Sequence, residues 1–209
     1  MQFTWHTRRV PVLPAHRTSA RLSLSPLLPS DAREVFRIYG DAGTWEHLPS
    51  GRFRSVEQAR EHIEKSVTSF REQGLGMWAI RVGDAPGSAG LPAGSFIGTG
   101  GMQYLKEGGI WNLGYRLSPE AWGQGFASEL AFAALEAAAE VAPQIPVTAR
   151  ALTDNGASVA VLEKVGLSLI WEGAVPFPDA AEPGATSLRR VYSDRDLPQR
   201  ALDWLMAHL

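Results

Sequence analysis

Polar and apolar residues alternate in Arg21-Leu22-Ser23-Leu24-Ser25, a period of two that predicts the first strand. Pro29-Ser30-Asp31 supplies a start signal for a helix to about Tyr39. After a loop over 41–54, which carries Gly43, Pro49 and Gly51, the residues Val56, Ala59, Ile63, Val67 and Phe70 recur three or four apart and predict a helix over 55–73. Strands are predicted at 77–82, 95–104 and 110–117. A Gly/Pro/Ala-rich turn over 83–94 follows the first, and Lys106-Glu107-Gly108-Gly109 joins the other two. Half of the sixteen residues over 127–142 are alanine, which predicts a helix of high propensity and small side chains, ended by Pro143. A strand at 147–152, a helix at 158–165 stopped by Gly166, a strand at 167–171, a loop over 175–186 and a last strand at 188–193 complete the pattern. Leu202, Leu205, Met206 and Leu209 then recur at helical spacing. Strands in a run followed by strand, helix, strand, helix and two strands predict a mixed α/β fold, one sheet with helices on both faces.

At 209 residues the chain suffices for one well-buried domain and is short for two. The pattern divides it into an N-terminal arm over 1–17, a domain over 18–194 and a helical tail over 195–209 that packs on the body or on a second copy, leaving a monomer or a homodimer open. The formal net charge is −2 with Lys and Arg dispersed, so the footprint of a nucleic-acid binder is missing. No apolar run approaches the roughly 18 residues of a membrane span, and the first residues lack the apolar core of a signal peptide, so a soluble cytoplasmic protein is expected. The chain has no cysteine, which removes disulfides, thiolate metal sites and an acyl-cysteine intermediate. His6, His16, His47, His62 and His208 are scattered with no pair four apart, so no metal site is expected.

Chemistry concentrates in 110–128, which reads as a strand, a proline-bearing turn, a glycine-rich bend and a helix start. A helix start exposes unpaired N–H groups and the positive end of the macrodipole, and glycines ahead of it let the backbone close on a phosphate. A P-loop would need Lys and then Ser or Thr after its last glycine, where Phe126 and Ala127 stand. The dinucleotide fingerprint would need glycine or alanine at Ser128 and an acidic residue about 20 positions on, where Ile145, Pro146 and Val147 lie. What remains, Trp122-Gly123-Gln124-Gly125-Phe126-Ala127, resembles the pyrophosphate loop of the GNAT superfamily of acetyltransferases, with Trp122 in place of its usual Arg or Gln. Asp154-Asn155-Gly156-Ala157-Ser158 and Leu162-Glu163-Lys164-Val165-Gly166-Leu167 resemble the D-N-x-A-S and E-K-x-G-F elements of the RimJ/RimL branch, and the whole pattern can be laid over 18–194.

The resemblance implies a central mixed, mostly antiparallel sheet with helices on both faces, and acetyl-CoA in a V between the fourth and fifth strands. It places backbone groups of Tyr115 and Leu117 on the pantetheine, and N–H groups of Gln124, Gly125, Phe126, Ala127 and Ser128 on the pyrophosphate, with the side chains of Gln124 and Ser128 as further donors. Asn155 contacts the cofactor, caps the helix before Ser158, or does both. Transfer to a lysine-like amine needs deprotonation, because only one molecule in ~2,500 is free base at neutral pH. The superfamily's usual tyrosine acid falls on Leu162, which cannot donate, and the branch's serine acid falls on Ser158, for which an N-cap role is the alternative. The fourth-strand carboxylate of many relatives is Asn112 here, leaving Glu107, Glu129 and Glu46 as base candidates, with Glu129 better suited to a first-turn interaction with the helix dipole. The loops over 41–54 and 175–186, with Trp45, Trp78, Tyr104 and Trp111, are the candidate acceptor contacts. The implied activity is an acetyl-CoA-dependent N-acetyltransferase acting by direct transfer on a protein N-terminal amine or a small-molecule amine such as an antibiotic or polyamine, against a CoA-binding sensor or interaction module without turnover.

Overall fold

The structure is a computed structural model that describes residues 16–45, 51–84, 90–176 and 186–209. Eight strands form one sheet: β1 (Arg17–Thr18), β2 (Leu22–Pro26), β3 (Met77–Val82), β4 (Phe96–Leu105), β5 (Ile110–Leu117), β6 (Val147–Leu152), β7 (Ser168–Pro176) and β8 (Thr186–Ser193). Their spatial order is β1-β2-β3-β4-β5-β6-β8-β7. Every adjacent pair is antiparallel except β5 and β6, which run parallel because α4 (Phe126–Val141) crosses between them. The remaining helices are α1 (Ala32–Gly40), α2 (Ala42–Trp45), α3 (Val56–Gln73), α5 (Gly156–Lys164) and α6 (Gln199–Ala207).

Both faces of the sheet are covered, as the element pattern predicts. The odd residues of β5, Trp111, Leu113 and Leu117, share a core with α4 and α5. There Ala131, Ala134, Ala137 and Ala138 are buried, so the alanine-rich helix lies close on the strands. The opposite face takes α1 through Val35 and Ile38 and α3 through Ala59 and Ile63, with Val56 at its edge; of the other positions marked by the three-to-four spacing, Val67 is exposed and Phe70 packs on the first core. α6 covers the far end of that face, packing Ala201 and Leu205 on Ile110 and Val191, so the tail docks on the body.

Several bounds differ from the sequence reading. Pro29–Asp31 is a 3-10 turn, with the Leu28 N–H donating to Asp31 Oδ2 at 2.8 Å, and the α-helix begins only at Ala32. The β7/β8 hairpin is longer than predicted, reaching Pro176 and Thr186, because pairing runs on from Trp171↔Val191 to Pro176↔Thr186. Within the expected loop over 41–54, residues 42–45 instead form the one-turn α2, with the Thr44 hydroxyl donating to Ile38 O at 2.6 Å; the rest of that loop and the loop over 175–186 fall partly outside the described residues, as does Glu46, and so does the arm apart from residues 16 and 17.

Candidate active site

β5 and β6 pair for three residues and then part. Trp111, Asn112 and Leu113 lie opposite Val147, Thr148 and Ala149, where the ladder ends. Residues 114–117 continue on β4 and 150–152 on β8, which opens a wedge between them. The Trp111 N–H donates to Pro146 O at 2.9 Å, so odd residues of β5 turn their backbone groups toward β6. Past the fork those of Tyr115 and Leu117 face the wedge, although the Leu117 carbonyl accepts from Trp122 Nε1 at 2.9 Å.

The wedge leads to the start of α4. Gly123 and Gly125 have φ of 72° and 80°, left-handed conformations that glycine holds without strain, and Gly125 is the N-cap. The first helical bond joins Glu129 N to Gly125 O at 3.1 Å, leaving the N–H groups of Phe126, Ala127 and Ser128 without intrahelical acceptors. A Cβ on Gly123 would meet nothing within 4 Å, so the backbone there is open to a ligand. The Gln124 side chain is partly engaged, its Nε2 donating to Glu120 O at 2.8 Å while Oε1 is buried without a partner.

Arg21 fixes this loop from behind. It donates Nη1–H to Gln124 O at 2.9 Å and Nε–H to Glu129 Oε2 at 2.9 Å, and its guanidinium covers the Phe126 ring at 4.5 Å. The Arg21 backbone N–H and the Ser19 hydroxyl take Glu129 Oε1 at 2.6 and 2.7 Å. Burial alone would raise the Glu129 pKa, but these hydrogen bonds and the Arg21 charge bring it below the ordinary carboxylate value. Glu129 is therefore a structural anion. No sequence signal pairs Arg21 with a residue 108 positions away.

On the other side of the wedge Asn155 is the N-cap of α5, its Oδ1 accepting the Ser158 N–H at 3.1 Å. Ser158 gives the cap only its backbone N–H, so its hydroxyl is not consumed by capping. Tyr115 Oη is buried and meets no partner at hydrogen-bond geometry. Burial raises the pKa of this phenol, and the Ser158 hydroxyl acts on it in the opposite direction. Two hydroxyls, one on β5 and one at the start of α5, thus neighbour each other across the fork. In the sequence, the family resemblance points only to the backbone of Tyr115 and not to its phenol. Glu107 is not brought to the fork: it is exposed in the hairpin turn before β5, where its carbonyl accepts from Arg200 of α6.

The α1/α3 face of β5 holds a second group of residues. Asn112 Oδ1 is buried without a partner, and a Cβ on Gly114 would meet only Asn112 Nδ2 at 3.8 Å, so an open floor separates Asn112 from Arg116. Arg116 lies over the Tyr39 ring at 4.4 Å and donates to Gly51 O at 2.6 Å. Tyr39 stacks with Phe53 at 4.4 Å and neighbours His62 at 5.3 Å. Burial, then the charges of Arg116 and Lys65, lower the His62 pKa to about 4, so its ring is neutral at pH 7. His62 also lines a cavity of about 610 Å³ with Met77, Gln103 and Tyr104. Of the expected acceptor aromatics, Trp78 and Trp111 are core, Tyr104 packs on Trp111 at 5.1 Å, and Trp45 donates to Gly40 O at 3.0 Å beside Arg52. Among the described residues no group of His, Asp and Glu is placed to hold a metal ion.

A forked parallel pair leading to a glycine-started helix agrees with the comparison of the chain with known families: the model of the acetyltransferase (GNAT) domain matches residues 21–168. The chain belongs to the GNAT family. As a GNAT protein it is an acyltransferase with acetyl-CoA as cosubstrate, and the open cradle and unpaired wedge edge fit such a ligand. The uncharacterized N-acetyltransferase YoaA of Bacillus subtilis is 26% identical over 147 residues, covering 70% of this chain and 78% of YoaA. The GNAT fold is shared with a GNAT-family acetyltransferase from Bacillus anthracis, with a TM-score of 0.65 and 17% identity over 85% of this chain and 96% of that one. It is also shared with the ribosomal L7/L12 alpha-N-protein acetyltransferase RimL, solved in complex with coenzyme A, with a TM-score of 0.61 and 18% identity over 90% of this chain and 99% of that one. In the chain order of the GNAT V, the family's fourth and fifth strands are β5 and β6 here, since the short β1 adds one to the count.

Proposed function

We propose that this protein is an acetyl-CoA-dependent N-acetyltransferase of RimJ/RimL type, acting in the cytoplasm on a protein N-terminal amine by direct transfer. The observation that carries the reading is the fork of β5 from β6 beside a helix start whose first N–H groups are unpaired. Bound acetyl-CoA supplies a thioester whose carbonyl carbon the acceptor nitrogen attacks, with departure of the CoA thiolate. The N–H groups of Phe126, Ala127 and Ser128 would hold the pyrophosphate, with Gly125 shaping the entry and Gln124 in the same loop, and the wedge edge at Tyr115 and Leu117 would hold the pantetheine. Asn155 serves the site by fixing the first turn of α5. Ser158 would deliver a proton to the leaving sulfur, and the Tyr115 phenol beside it would orient or replenish that proton.

The missing carboxylate on β5 favours an α-amine. With an ordinary pKa of 7.7–8.0, roughly one α-amine in ten is free base near neutral pH, against one lysine in ~2,500. Asn112 cannot act as a base, but its unpartnered Oδ1 can accept a hydrogen from such an amine or from a relay water. The fold likeness to RimL supports the same branch. The test is CoA release from acetyl-CoA with a panel of peptides free or blocked at the N-terminus, polyamines and aminoglycosides. Turnover confined to free N-termini is expected; turnover confined to small amines moves the protein to the small-molecule class. No turnover with retained CoA binding makes it a sensor.

A further inference from the structure

Three arginines on the α1/α3/α6 face surround the fork, and among the described residues none of them has an acidic partner. Arg116 stands on β5, two residues past Gly114. Arg150 stands on β6, one residue past the last β5/β6 pair, and Arg189 lies on β8 opposite Leu152. Arg150 turns away from the α4 core that takes Val147, Ala149 and Ala151, and Arg189 away from the core that takes Tyr192. Both therefore share the face of Val191 and of α6. Among the described residues none of the three joins a salt bridge, and the two hydrogen bonds their side chains make go to the carbonyls of Gly51 and His208. Arg190, on the other face of β8, shows the contrast, since it is paired with Glu172 at 2.5 Å. Arg150 and Arg189 act on each other as like charges, and desolvation lowers the pKa of all three. Arg150 and Arg189, half-buried and repelling each other with no anion beside them among the described residues, are unfavourably placed unless a ligand supplies countercharge, and Arg116 presents a third cation on the same face.

We propose that this arginine arc recognises an acidic peptide N-terminus, holding carboxylates of the residues that follow the reacting amine. The assignment rests on the N-terminal acetyltransferase reading and names its substrate class. Spacing selects a peptide over a small amino acid. β5 and β8 are two strand positions apart, about 10 Å, and the fork widens the gap, which is more than one carboxylate can bridge. The amine lies between the two stations, over the open floor at Gly114, with Asn112 Oδ1 within the same slot. Neutral His62 and Tyr39 flank Arg116 and add no competing anion.

The test compares two peptides of equal length, Ser-Glu-Glu and Ser-Gln-Gln at the N-terminus, with the full-length protein and acetyl-CoA. A third arm offers a free amino acid that carries one side-chain carboxylate. The acidic peptide is expected to have a kcat/KM at least tenfold above the neutral one, and Arg116→Gln and Arg189→Gln are each expected to shrink that ratio three-fold or more while the CoA-induced rise in Tm persists. A wild-type ratio near one, or a ratio that survives both substitutions, overturns the proposal. Preference for the free amino acid overturns the peptide class and leaves acetyl transfer standing. If no amine is turned over, calorimetric titration of both peptides into CoA-saturated protein decides. Tighter binding of the acidic peptide upholds the arc although the transfer reading fails, and equal or absent binding overturns it. Because the wild-type ratio is measured first, a variant that fails to fold still leaves the proposal open to refutation.

Discussion

Single residues in this site divide by whether they act through backbone or side chain. Gly125 acts through backbone, since its φ of 80° is a conformation that costs an L-residue about 1–2 kcal/mol. Gly125→Val is accordingly expected to weaken CoA binding about tenfold. Trp122→Gln should change CoA binding little, since the cradle offers the N–H groups of Phe126, Ala127 and Ser128 and takes nothing from the indole. Equal losses from the two changes in a CoA titration would show that loop packing, and not the amides, governs affinity. Asn155 and Ser158 separate in the same way. Asn155→Ala removes the cap acceptor and should lower stability by about 1 kcal/mol. Ser158→Ala leaves that bond in place, because the donor is backbone, so an unchanged Tm with kcat reduced about 10²-fold is expected of an acid. A normal kcat in a stable Ser158→Ala protein would pass the proton role to Tyr115 or to solvent, which Tyr115→Phe would then distinguish.

At the scale of elements, the helix start depends on a strand far from it in sequence. Arg21, at the entry to β2, ties the carbonyl of Gln124 to the carboxylate of Glu129, so the cradle is held by the strand and not by the loop alone. Glu129→Gln is expected to loosen the loop, lowering both Tm and CoA affinity. The pH dependence has a definite sign. The folded-state pKa of Glu129 lies below its ordinary value of 4.5, so its contribution is complete above about pH 4.5 and is lost as pH falls through the lower folded value. Stability measured from pH 6 down to pH 3 should fall in the wild type, and Glu129→Gln should fall less steeply over the same range. Identical slopes would mean that the clamp does not set the acid limb. The β5/β6 fork belongs to this scale too, since each strand is regular in its own pattern and only their pairing shows where they separate.

For the whole molecule, a ligand that binds only the folded state adds stability by mass action, and CoA at 100 times its Kd should contribute roughly 2.7 kcal/mol. An unchanged Tm at saturating CoA would remove the basis of the transfer reading. The chamber on the α1/α3 face imposes a second, higher acid limb. The His62 pKa falls from 6.5 to about 4 on folding, so the unfolded chain binds the extra proton first. Stability is full above about pH 6.5 and declines as pH drops toward 4, by at most roughly 3 kcal/mol. His62→Phe should flatten the curve between those values, and a curve unchanged by the substitution would mean that the ring is hydrated in the folded protein. No helix among the described residues is long and apolar enough to cross a membrane.

Local patterns in the sequence determined the longer strands and helices and the glycine cradle, but not the short β1 and α2, because periodicity and left-handed glycines act within a few residues of chain and two to four residues are too few to show a period. The D-N-x-A-S resemblance likewise led to Asn155 and Ser158, though it did not say which of them caps. Tertiary structure alone decided what depends on strand order and register. It set Arg21 against Glu129, put the Tyr115 phenol beside Ser158, and left Glu107 in a turn away from the fork. It also gathered Arg116, Arg150 and Arg189 on one face from three separate strands. The physical reason is that a residue's own neighbourhood in sequence fixes which side of its element it occupies, while the groups it meets there are supplied by elements that pack on it from far along the chain.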